Sequence, residues 1–157
     1  MSQLKSLASQ TALFGVSSIL GRLINYALVP LHTSVFVPEQ LGVVTALYAY
    51  TAIFMIAYTY GMETAFFRYV KEAPEKTYQA ATITIIFIST VLTIGIYLFS
   101  DELANEIGYQ EAGSFVRWIS IIMWIDAFLA IPFAKLRFQN KAKKFALIKI
   151  VNILLNI

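Results

Sequence analysis

Residues Ala80–Phe99 read AATITIIFISTVLTIGIYLF, and the next stretch, Ser100–Glu111, reads SDELANEIGYQE. The first of these decides the fold. Its Ile, Thr and Val residues favour a strand in water. Its length exceeds that of an ordinary strand, however, and its apolar residues do not alternate with a period of two. Coiled at about 1.5 Å per residue, a stretch of this length matches a hydrocarbon core roughly 30 Å thick. In lipid each backbone polar group must find its partner inside its own segment, so a membrane-spanning helix is predicted. The second stretch carries Asp101, Glu102, Glu106 and Glu111 without a single Lys or Arg. It is predicted to be a connection containing a short interfacial helix.

The same pattern extends in both directions. Spans are predicted over about 7–36, 41–62, 80–99 and 112–133, with a fifth begun over 145–157. The expected architecture is therefore an all-α polytopic membrane protein with four transmembrane helices and the start of a fifth. Pro38-Glu39-Gln40 is expected to form a turn. The charged stretch Arg68–Tyr78, which holds Pro74, is expected to be a loop, and Pro132 is expected to close the fourth span. The last stretch is too short to cross a bilayer, and Asn152 and Asn156 fall one helical turn apart on one face. A polar pair of this kind calls for partners in other helices. The chain is accordingly expected to be the N-terminal part of a longer transporter domain.

Charge gives the orientation. Lys5 precedes the first span. Arg68, Lys71 and Lys76 lie between the second and third, and Lys135, Arg137, Lys141, Lys143 and Lys144 between the fourth and fifth. The intervening connections hold only acidic residues. Basic residues in every second connection predict an N-terminus on the cytoplasmic side.

Composition agrees. The chain is 59% hydrophobic and 13% charged, against about 45–50% and about 25% in ordinary soluble domains. The net charge of +3 does not point to nucleic acid, because the basic residues form no continuous stripe. They are placed to meet membrane lipid head groups instead. No cysteine is present, so disulfides and thiolate metal sites are excluded. Met1–Gln10 does not read as a signal peptide, since the apolar stretch after it is too long, contains Arg22 and lacks a small-residue cleavage site. No zinc-protease motif, phosphate-binding glycine loop or nucleophile constellation is present. The chain is therefore not expected to be an enzyme, and no cofactor or metal is expected.

Arg22 is the sharpest residue. It falls near the middle of the first span, where a charge costs about 2.5–3.5 kcal/mol to insert. At about 100° per residue, Thr11, Gly15, Ser18, Arg22, Asn25, Val29 and His32 share one arc. Two readings remain open. The stripe packs against other helices with Arg22 in a structural ion pair, or it lines a water-filled cavity for an anionic substrate. Arg suits phosphate because its planar fork donates two parallel hydrogen bonds. Asp126 is expected at a similar depth in the fourth span. It is a counterion for Arg22, a gate, or a proton or sodium site. Glu63 and Arg68 flank the inner end of the second span as a helix-end pair or a gate. Arg117 is expected to snorkel to the outer surface. The second span is rich in aromatics, with Tyr48, Tyr58 and Tyr60 reading as an interfacial belt and Tyr50 and Phe54 placed deeper.

Three stretches together resemble the polysaccharide flippases, which include the O-antigen and lipid II flippases. These are Leu20-Gly21-Arg22 through Pro30 with Val37-Pro38-Glu39-Gln40-Leu41-Gly42, then Gly61–Tyr69, then Ile131–Phe138 continuing through Lys144-Phe145-Ala146. The resemblance is to members of the multidrug/oligosaccharidyl-lipid/polysaccharide exporter superfamily, and it covers nearly the whole chain. It implies a fold of about twelve to fourteen helices in two halves that work by alternating access. This chain would supply the N-terminal part, with the C-terminal half of the same protein as its partner. It further implies transport of an undecaprenyl-pyrophosphate-linked oligosaccharide across the bacterial inner membrane. In lipid II flippases, arginines of the N-terminal half face the cavity that receives the pyrophosphate. Arg22 is the residue that matches by position, with Asn25 and Ser18 as hydrogen-bonding neighbours. Few other arginines lie in the spans of this chain. The alternatives are a cation-coupled multidrug exporter of the same superfamily and a non-transporting scaffold for a glycan-assembly complex.

Overall fold

The computed structural model describes residues 12, 14–16, 19, 23, 26–31, 33–109 and 112–155, with backbone alone at 39 and 152–155. Every regular element among them is a helix. Residues 26–31 and 33–35 are helical. Six further elements follow: α1 (Pro38–Thr59), α2 (Met62–Tyr69), α3 (Pro74–Leu98), α4 (Ser100–Glu106), α5 (Gly113–Phe138) and α6 (Ala142–Leu155). Three segments are long and apolar enough to cross a membrane: Gln40–Tyr69, Pro74–Leu98 and Gly113–Phe138. At about 1.5 Å per residue, the 25 residues of α3 reach roughly 37 Å, more than the hydrocarbon core requires. This is a membrane protein.

Prolines account for most of the differences from the sequence-based boundaries. Pro38 and Pro74 were expected in a turn and a loop, yet each is the first residue of a helix. A proline at that position gives up no helical hydrogen bond, and its fixed φ already suits the helix. The expected loop 68–78 shrinks as a result, because α2 runs to Tyr69 and α3 starts at Pro74. Pro132 was expected to end a span and instead lies inside α5, which continues to Phe138. Membrane helices tolerate such prolines when neighbouring groups take up the freed carbonyl.

The breaks have local causes. Tyr60 (φ 45°) and Gly61 (φ 65°) are both left-handed, and they separate α1 from α2. Gly108 (φ 83°) follows α4; its N–H donates to Asn105 O, and the next N–H, of Tyr109, reaches Ala104 O. Asn140 (φ 53°) follows α5 in the same way, with Asn140 N–H to Arg137 O and Lys141 N–H to Leu136 O. Both are Schellman caps, which satisfy the last carbonyls of a helix.

The chain forms two compact units: residues 38–134, and residues 1–37 together with 135–157. In the first, α3 is the central element, packed against α1, α2 and α4. Its buried residues Ala81, Ile85, Ser89 and Ile96 lie on one side. The buried line of α5 is Gly113, Val116, Ser120, Met123, Ala127, Ile131 and Ala134. Small residues recur along both lines and let the backbones approach closely, which is how membrane helices gain packing energy. Several hydroxyls within the spans bond back to their own helix: Thr45 to Leu41 O, Thr51 to Leu47 O and Thr59 to Met55 O. That removes the cost of a bare hydroxyl in hydrocarbon. In the second unit, the Phe14 and Phe145 rings meet edge to face at 5.1 Å.

Candidate functional site

Ser18, Arg22 and Asn25, the expected substrate contacts, lie outside the described residues, as does His32. The side chains of Asn152 and Asn156 lie outside them too.

Asp126 is the fourteenth residue of the 26 in α5. By helical rise it sits about 20 Å along that helix, close to its midpoint. Its side chain is exposed within the 38–134 unit, about 100° around α5 from the buried line. Ionisable residues within spans generally face other helices or water-filled space.

Glu63 is half-buried in the first turn of α2, where an acidic side chain complements the helix dipole. Arg68, in the last turn, is exposed and lies 5.5 Å from the centroid of the Tyr69 ring. Five residues apart on a short helix, the two project about 140° from each other. Beside them, α2 and the start of α3 enclose an open hollow of about 340 Å³ with Phe66 and Ala81 among its walls and Lys76 lining it. Neither Glu63 nor Arg68 lines it.

A polar chain links the three spans. Thr93 Oγ1 on α3 donates to Ser120 O on α5 at 3.5 Å. Its one proton is thereby used, so the Tyr58 hydroxyl on α1 donates to Thr93 at 3.1 Å. One turn further on, Trp124 Nε1 donates to Thr90 Oγ1 at 2.9 Å. Tyr58 is therefore no belt residue: it is fully buried, whereas Tyr48 and Tyr60 are exposed.

The polar chain continues to the α4 end of the unit. Ser120 Oγ donates to Arg117 O at 2.7 Å. The Arg117 guanidinium donates through Nε to Ser100 Oγ at 2.7 Å and through Nη2 to Asp101 Oδ2 at 2.5 Å. It also stands 5.9 Å from the Tyr97 ring centroid. A Cβ added to Gly113 would overlap the Asp101 carboxylate, so a larger residue there would have to displace Asp101 from its place beside Arg117. Arg117 thus binds α4 to α5 rather than reaching freely toward head groups. The signal for this was present in the sequence, because Arg117 is the basic residue that follows an acidic connection and sits within the first turns of the next helix. What was missing was the position of α4 relative to α5.

The model of the polysaccharide biosynthesis protein family matches residues 35–157. The chain belongs to that family. No curated protein and no solved structure matches it. The match starts beyond Arg22 and covers every element from α1 to α6. At the level of family it agrees with the flippase/exporter resemblance, and it places the chain in polysaccharide synthesis or export.

Proposed function

We propose that this polysaccharide biosynthesis protein flips an undecaprenyl-pyrophosphate-linked oligosaccharide from the cytoplasmic to the outer leaflet of the bacterial inner membrane. The observation that carries the reading is the family match over 35–157 in a chain built of membrane-length helices. In this reading the protein transports and does not make or break covalent bonds. The N-terminus is cytoplasmic, in keeping with the alternation of basic and acidic connections. Arg22 attracts the pyrophosphate, and Asn25 and Ser18 supply hydrogen bonds. Asp126, at mid-depth on α5, holds Arg22 until substrate arrives. Glu63 and Arg68 lie at the inner gate. The C-terminal half of the same protein completes the cavity.

The test is Arg22→Ala in the complete native gene. Surface polysaccharide should disappear while the protein stays in the membrane at normal level, and the lipid-linked intermediate should accumulate on the cytoplasmic face. Normal export in that variant would remove Arg22 from the mechanism. Dye extrusion without any effect on polysaccharide would favour a drug exporter. Export that survives deletion of the gene would favour a scaffold.

A further inference from the structure

The 38–134 unit holds a half-open, largely apolar cavity of about 130 Å³ at the end that carries α4. Its walls are Leu47 and Phe54 from α1, Ile96 from α3, Leu103 and Ile107 from α4, and Met123 from α5, with Thr51 among the residues between them. The Thr51 hydroxyl is already committed to Leu47 O at 2.8 Å. Tyr50 also lines the cavity; the rest of the lining is apolar, which favours hydrocarbon over water.

We infer that this cavity is a binding site for the acyl chain of a bilayer phospholipid. Three observations converge on that occupant. The helices around the cavity include three membrane-length spans, so the protein that carries it sits in hydrocarbon. Its volume is close to that of an engineered cavity of about 150 Å³ that holds a single benzene, which corresponds to a run of a few carbons rather than a head group. That suits the unbranched tip of one acyl chain better than a methyl-branched prenyl chain, whose cross-section is larger. α4 closes one side through Leu103 and Ile107, and it is fastened there by the Arg117 bonds to Ser100 and Asp101. A filled cavity restores the dispersion contacts that an empty one forfeits. The inference needs the chain to be a membrane protein and does not depend on what the protein transports.

Photo-crosslinking tests it. The complete protein is reconstituted in vesicles containing a phosphatidylglycerol with a diazirine at the end of one acyl chain. After illumination, adducts are located by peptide mass spectrometry. Adducts are expected on Met123, which is only 2% exposed, as well as on exposed residues such as Phe87 and Ile122. Thr51 and Ile119 both line the cavity, and Thr51→Phe and Ile119→Phe fill it. Each should lower the Met123 adduct at least tenfold while leaving those at Phe87 and Ile122 unchanged, which also shows that the variant has folded. Wild-type adducts confined to exposed residues would overturn the inference. So would a Met123 adduct that persists in both filled variants, or one formed only with a diazirine-bearing prenyl phosphate.

Discussion

Replacing Arg117 by Ala tests how the α4–α5 corner is held. Two interactions are lost, and the structure makes them unequal. The ion pair with Asp101 is largely open to solvent, with side-chain exposures of 42% and 65%. Exposed pairs contribute about 0–1 kcal/mol and weaken with salt. Ser100 is fully buried, and its hydroxyl accepts from Arg117 Nε. Leaving a buried hydroxyl short of its partner costs about 1–3 kcal/mol. Arg117→Ala should therefore destabilise the protein by about 2–3 kcal/mol. Asp101→Asn should cost less than about 1 kcal/mol. At 1.4 kcal/mol per decade, the first amounts to more than a tenfold change in the unfolding equilibrium constant and the second to well under tenfold. The assay is denaturant unfolding in detergent micelles, followed by fluorescence of Trp118, the residue next to Arg117. Raising the salt from 50 to 500 mM should shrink the Asp101→Asn effect and leave most of the Arg117→Ala effect. Equal costs for the two variants, or an Arg117→Ala effect abolished by salt, would refute the assignment of the larger share to Ser100.

Two further substitutions probe the spans and their break. Tyr58→Phe removes the hydroxyl that donates to Thr93 but keeps the ring; the loss of stability should be close to the roughly 0.6 kcal/mol average for hydrogen bonds between membrane helices, read by the same unfolding assay. Gly61→Ala finds no atom within 4 Å of the new Cβ, yet its φ is +65°. The cost should be about 1–2 kcal/mol, from backbone strain alone, and a neutral result in thermal melting would show that the α1–α2 break is not held left-handed.

Much of this architecture is legible in the chain because a bilayer simplifies the physics. Ala80–Phe99 has the length and continuity of a span, and α3 is found over most of it. The acidic connection after it contains the short helix α4, as its composition suggests. The misplaced boundaries share a cause. Pro38, Pro74 and Pro132 were weighed as breakers, while their effect depends on whether the residue opens a helix or interrupts one. Tyr58 was misplaced for a different reason. A tyrosine near the end of a span looks the same in sequence whether it meets head groups or Thr93, and only the packing of α1 on α3 separates the two. The Arg117–Ser100 bond was hidden in the same way, since it depends on a contact across a turn that no periodicity encodes.

Asp126 is the one acidic residue inside α5. Hydropathy alone marks it as a costly residue for a span. The structure adds that it lies near the midpoint of α5 and outside the line through which α5 packs on its neighbours in the 38–134 unit. Its side chain lies on the exposed side of α5, and ionisable residues within spans are accommodated by protein or water. The proposed pairing with Arg22 requires α5 to present this side to the first span, and Asp126→Asn should then impair export at unchanged membrane expression.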